Sequence, residues 1–125
     1  MVSKRVLVLG NHASRKLPNI LSSLGFAPQV WGSMRHSLGK LRRHKFAAVI
    51  IDRKFNRADP LEFILNIRDI DHKVPVVILG SSKDKRIESK IHQQDFTKVF
   101  DHNNNDDKLA EKLSQVIKDN ESKNI

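Results

Sequence analysis

The strongest constraint on this chain is a series of short apolar runs, each closed by a glycine or a polar residue and each followed by a helix-periodic segment. Val6-Leu7-Val8-Leu9 ends at Gly10, Phe46-Ala47-Ala48-Val49-Ile50-Ile51 ends at Asp52, and Val74-Pro75-Val76-Val77-Ile78-Leu79 ends at Gly80. None alternates apolar with polar residues, so each reads as a strand buried on both faces. Gln29-Val30-Trp31 and Lys98-Val99-Phe100 read as two shorter strands. The helices fall between and after them. Leu17, Ile20, Leu21 and Leu24 mark a helix over 14–24, with Pro18 near its first turn and Gly25 as its stop. Met34, Leu38 and Leu41 mark 34–44, which Gly39 weakens. Asp59-Pro60 caps a helix over 60–69, with Leu61, Ile64, Leu65 and Arg68 as its expected stripe. Residues 83–94 form a charged helix with only Ile87 and Ile91 apolar. Leu109, Leu113, Val116 and Ile117 mark a last helix over 106–118.

Strands and helices thus alternate five times, which predicts an α/β fold: a single doubly wound (βα)5 domain. Its five-stranded parallel sheet has the expected order 2-1-3-4-5, with helices on both faces. The 125 residues suit one such domain, expected over 1–119, with 120–125 a polar C-terminal tail. No cysteine is present, which excludes a disulfide framework or thiolate metal site. No apolar run approaches the ~20 residues of a membrane span, and the expected location is cytoplasmic. In sheets of this order the site lies beyond the carboxyl ends of the strands. The residues placed there are Gly10-Asn11-His12, Asp52-Arg53-Lys54, Gly80-Ser81-Ser82 and Asp101-His102-Asn103.

Charge is distributed very unevenly. The net charge is +9, and residues 1–51 hold nine Lys/Arg (Lys4, Arg5, Arg15, Lys16, Arg35, Lys40, Arg42, Arg43, Lys45) without one Asp or Glu. The other 14 Lys/Arg are balanced by all 14 Asp/Glu. A catalytic carboxylate pair or acidic metal cage drawn from the first half alone is excluded. The densest cluster is Arg35, Lys40, Arg42, Arg43 and Lys45, with His36 and His44, on the face of the second helix opposite Met34, Leu38 and Leu41. Such a surface attracts phosphate or an acidic protein, although a solvated helix face is the plainer alternative. Trp31 is the one aromatic nearby, so no platform for stacking bases is visible. Gly10-Asn11-His12-Ala13-Ser14 sits where a phosphate-binding turn would, but lacks both G-x-G-x-x-G and G-K-[ST]. A metal site from His12, His102 and Asp52 is the weakest of these ideas, and His36, His44, His72 and His92 show no ligand-like clustering.

The stretch VIIDRKFNRADPLEFILNIR resembles the receiver domains of response regulators. In that family a strand ends on the phospho-accepting Asp, and an Asp-Gly-Leu-Glu-Phe-like segment opens the third helix seven residues later. Here Asp52 precedes Asp59-Pro60-Leu61-Glu62-Phe63. VPVVILGSS is similar to the family's fourth strand, NDDKLAEKLSQVI to its last helix, and VLVLGNHASRKLPNILSSLGF to its first strand and helix. The resemblance implies a CheY-like, flavodoxin-like fold in bacterial-type two-component (phosphorelay) signal transduction, and no enzymatic activity.

The same resemblance makes Asp52 the phospho-acceptor position and exposes a degenerate pocket around it. The family's acidic Mg²⁺-binding pair maps onto Gly10 and Asn11. Its metal-binding carbonyl maps onto Lys54, its hydroxyl onto Gly80 with Ser81 adjacent, and its essential lysine onto His102. The aromatic switch position maps onto Val99, beside Phe100. Mg²⁺ binding, which needs hard anionic oxygens, is therefore expected to be weak or absent. The expectation is a pseudo-receiver: a phosphorylation-independent protein-interaction module. It would dock a signalling protein or output domain, an acidic one among the options, or form a homodimer through the family's output face at 83–118, where Ile87 or Ile91 would be a docking residue. The basic second helix lies away from that face. A receiver still phosphorylated at Asp52, and a basic nucleic-acid-binding module, remain the alternatives.

Overall fold

The computed structural model describes residues 4–10, 16–53, 59–100 and 106–123. Five strands, β1 (Arg5–Leu9), β2 (Ala27–Trp31), β3 (Ala48–Asp52), β4 (Val76–Leu79) and β5 (Thr97–Phe100), alternate with five helices. The helices are α1 (Lys16–Ser23), α2 (Met34–Arg43), α3 (Pro60–Ile70), α4 (Lys85–His92) and α5 (Asp106–Lys123). All strand pairs are parallel and the sheet order is β2-β1-β3-β4-β5, as the alternation predicts.

The uninterrupted apolar runs explain the two-sided burial. Successive strand side chains point to opposite faces. Leu7, Leu9, Val49, Ile51, Val76 and Ile78 therefore join Leu38, Leu41, Phe63, Ile64, Ile67 and Ile91 beneath α2, α3 and α4. Val6, Val8, Ala48, Ile50, Val77 and Leu79 join Leu17, Ile20, Leu21, Leu113 and Ile117 beneath α1 and α5. A polar residue in β1, β3 or β4 would enter one core or the other, which is why these strands contain almost none. Strand β2 is the edge beside β1, where Pro28 is tolerated because its missing N–H faces away from the ladder.

Caps fix where the helices begin. The Asp59 carboxylate accepts from Leu61 and Glu62 N–H, with Pro60 in the first turn of α3. Asp84 does the same for α4 through Arg86 and Ile87, and Ser33 accepts from His36 N–H at α2. Gly25, at φ 89°, closes α1 in the left-handed conformation that glycine adopts without strain.

Two features depart from the sequence reading. The apolar stripe of α3 is Phe63, Ile64 and Ile67, whereas Leu65 is exposed and Leu61 only partly covered. Arg68 is not part of that stripe. Its Nη1 donates to the carbonyls of Asp71 and Val74, and its Nη2 to those of Asp95 and Phe96. Helix α5 continues to Lys123, beyond the expected end at 118.

Candidate functional site

Parallel strands bring their carboxyl ends to one edge of the sheet, and β1, β3 and β4 deliver Gly10, Asp52 and Gly80 to it. Asp52 is the last residue of β3 and only 4% exposed, one of two buried polar residues in the described chain. A Cβ on Gly10 would lie 3.6 Å from the Asp52 Cβ and 3.5 Å from Val8 Cγ1, in ordinary van der Waals contact. Position 10 thus faces Asp52 directly and contributes no carboxylate to it.

Gly80 closes β4 at φ 99°, with its N–H donated to the Phe100 carbonyl at 2.8 Å. That backbone conformation strains any residue with a Cβ, so a hydroxyl-bearing side chain at position 80 would work against the fold. Ser81, the neighbouring hydroxyl, is exposed. Asn11, Lys54 and His102, the other residues placed in the pocket from sequence, lie outside the described residues, as does His12. Among the described residues no three His, Cys, Asp or Glu side chains form a group that could hold a metal ion.

The structure adds a contact that sequence reasoning missed. Arg53, immediately after Asp52, pairs through Nη1 with Glu88 Oε1 of α4 and also reaches the Gly80 carbonyl at 3.3 Å. Glu88 Oε1 accepts from the Ser82 N–H at 3.1 Å as well. The pair is largely covered, with the two side chains 14% and 15% exposed, and it ties the β4–α4 connection to the end of β3. Nothing in the sequence pairs these two residues. Only the sheet order brings the start of α4 beside the residue that follows β3.

The basic residues divide into two places. Arg35, Lys40, Arg42 and Arg43 line one groove with Trp31, His36 and Gly39. Lys45 does not join them. It lines a separate hollow with Phe46, Ile70, Asp71, His72, Lys73 and Val74, at the amino-terminal end of β3. The reason is geometric: α2 ends at Arg43, and the chain turns away before Lys45.

No protein-family model and no curated protein matches the chain. Solved structures do match in fold. A CheY-like response regulator receiver domain protein from Methanospirillum hungatei superimposes with a TM-score of 0.83 at 13% identity, covering 98% of this chain and 99% of its own. The signal receiver domain of an HD domain-containing protein from Pseudomonas fluorescens gives 0.81 at 16%, covering 99% and 95%. The receiver domain of a sensor histidine kinase from Pseudomonas aeruginosa, with a magnesium ion in its active-site cleft, gives 0.74 at 15%, covering 93% and 98%. No described helix is long and apolar enough to cross a membrane. Strand order, helix placement and these superpositions agree: the chain has the fold of CheY-like receiver domains, with Asp52 at the end of its third strand.

Proposed function

We propose that this chain is a receiver-like regulatory module that acts by docking to a signalling protein or output domain, without phosphorylation at Asp52. The observation that carries the reading is Gly10. Phosphoryl transfer to a carboxylate requires a divalent cation to neutralise developing charge, and Mg²⁺ is held by carboxylates and carbonyls in octahedral geometry. The position that faces Asp52 from β1 offers no oxygen from a side chain. Of the described carboxylates near the strand ends, Glu88 is engaged by Arg53 and the Ser82 N–H. The described residues thus offer a Mg²⁺ ion little anionic oxygen beyond Asp52 itself.

Two further observations support a fixed conformation. The Arg53–Glu88 pair joins α4 to β3, and the left-handed Gly80 disfavours a hydroxyl that could follow a phosphoryl group. The alternative, a receiver still phosphorylated at Asp52, draws on the burial and placement of that carboxylate. Incubation with acetyl phosphate and Mg²⁺, followed by intact-mass measurement, separates the two. The docking reading expects no phosphoryl adduct; a stable adduct lost in Asp52→Asn overturns it. Homodimerisation through 83–118 is a second route to output. There Ile91 is fully buried and Ile87 packs partly against the core, so Ile91 is not available as a docking residue, whereas Phe96 is exposed.

A further inference from the structure

We infer that the groove between Trp31 and α2 is a docking site for an acidic protein segment. The inference does not depend on whether Asp52 accepts phosphate. The groove has a volume of about 510 Å³ and is lined by Trp31, Gly39, His36 and the four cations Arg35, Lys40, Arg42 and Arg43. Arg35, His36, Arg42 and Arg43 are exposed, and no ion pair within the described residues neutralises them. The first 51 residues contain no Asp or Glu, so β1, β2 and α2 bring no carboxylate to it. Helix α3, which packs on α2 through Asn66 against Met34, carries the exposed carboxylates Glu62 and Asp69.

Ordinary helix energetics explain part of this surface. Arg42 and Arg43 lie in the last turn, where a cation complements the helix dipole. Two other lining residues run against it. Arg35 stands in the first turn, where the dipole disfavours positive charge. Gly39 lies inside the helix, where glycine is a poor helix former. Packing does not require it: a Cβ there would meet nothing within 4 Å. Both choices make sense as parts of a binding groove, Arg35 as an anion contact and Gly39 as a notch that admits a ligand side chain.

The chemistry favours a protein over a nucleic acid. Lys40 Nζ sits 5.0 Å above the Trp31 ring, and the His36 ring is 6.0 Å away, so a base could stack there only by displacing them. Arginines around a tryptophan are the residue types enriched at protein-binding hot spots, and Arg clusters recognise acidic motifs by bidentate bonds to carboxylates. The Trp31 Nε1–H is buried and has no acceptor among the described residues. The groove also adjoins the Asp52 edge of the sheet, since the Gly10 N–H donates to the Trp31 carbonyl at 3.0 Å.

Trp31 is the sole tryptophan, so its emission reports occupancy directly. The full chain would be titrated with a short polyglutamate peptide, and separately with single-stranded and duplex DNA of matched charge. Arg42→Gln with Arg43→Gln should weaken peptide binding about tenfold. Gly39→Gln should weaken it several-fold while raising the melting temperature by roughly 2–4 °C, which rules out misfolding as the cause. Lys85→Gln with Arg86→Gln removes equal charge from exposed positions on α4 and should leave binding unchanged. Four results would overturn the inference: no peptide binding, tighter binding of either DNA with the same sensitivity to the α2 variants, equal loss in the α4 control, or unaltered affinity in Gly39→Gln.

Discussion

Replacing Arg68 with Met should cost about 3 kcal/mol of stability, more than an ordinary surface substitution. The guanidinium ties three segments together at the end of the sheet opposite Asp52. Nη1 reaches the Val74 carbonyl at 2.8 Å and the Asp71 carbonyl at 3.2 Å. Nη2 reaches Asp95 at 2.9 Å and Phe96 at 3.3 Å, and the cation lies 5.8 Å from the Phe96 ring centroid. Hydrogen bonds from a charged donor contribute about 1.5–3 kcal/mol each. The four share one side chain, and the two from Nη2 are exposed, so their values do not add. Burial works in the opposite direction. It lowers the Arg68 pKa despite the nearby Asp71 and Asp95 carboxylates, so covering this cation has its own cost. Counting the two partly buried bonds and subtracting some desolvation leaves about 3 kcal/mol. Urea denaturation followed by circular dichroism would read this as a midpoint lowered by roughly 1–3 M at the usual slope. Arg68→Lys should lose most of the same stability, because one ammonium cannot span the two sides of the fork. A loss below about 0.5 kcal/mol for Met would refute the reasoning, since desolvation would then cancel the bonds. Full stability in the Lys variant would show that charge, and not the fork, is what matters.

The pocket yields the other predictions. Gly10→Asp combined with Asn11→Asp should create Mg²⁺ affinity, detected as stabilisation of about 1.4 kcal/mol at ten times the new Kd, while Mg²⁺ leaves the parent's melting temperature unchanged. Gly80→Ser should destabilise by about 1–2 kcal/mol in denaturant titration, because a Cβ enters a left-handed backbone. Glu88→Gln should speed amide exchange at Ser82 without exposing β3, as the tether to Arg53 weakens. Asp59→Ala should cost about 1 kcal/mol through loss of the α3 cap, measured by thermal melting.

The sheet was legible because β1, β3 and β4 are buried on both faces and so apolar at nearly every position, and their shortness and β-branched content separate them from a buried helix segment where periodicity alone does not. The α3 stripe was harder to read. Leu61, Phe63, Ile64, Leu65 and Ile67 offer more apolar residues than one helix face can bury, so periodicity alone does not choose the register. Packing chooses Phe63, Ile64 and Ile67 and leaves Leu65 in solvent. Arg68 falls near a helical apolar position, yet its fork is engaged by carbonyls from two connections that only the completed fold brings near. The site divides in the same way. Asp52 and Gly10 follow from strand ends, which sequence locates. Arg53 with Glu88, and the separation of Lys45 from its basic neighbours, depend on how helices settle on the sheet.

The composition of the Asp52 pocket also limits how such a domain can be switched. A cluster of carboxylates strains the metal-free fold through repulsion, and a cation relieves that strain, so metal and phosphoryl group can bias one conformation over another. Among the described residues, with Gly10 beside Asp52 and Glu88 already paired with Arg53, little of that repulsion is stored. A ligand shifts an equilibrium only by its differential affinity for the two states, and moving a domain from one per cent to ninety-nine per cent of one state needs about 5.5 kcal/mol. If the pocket binds Mg²⁺ poorly, as the proposed function holds, it has little means of supplying that difference. On the docking reading proposed above, switching energy would arrive from a partner that contacts more surface than the pocket offers. The groove beside Trp31 suits that role, because the Trp31 carbonyl is bonded to Gly10 and the two sites share the edge between β1 and β2.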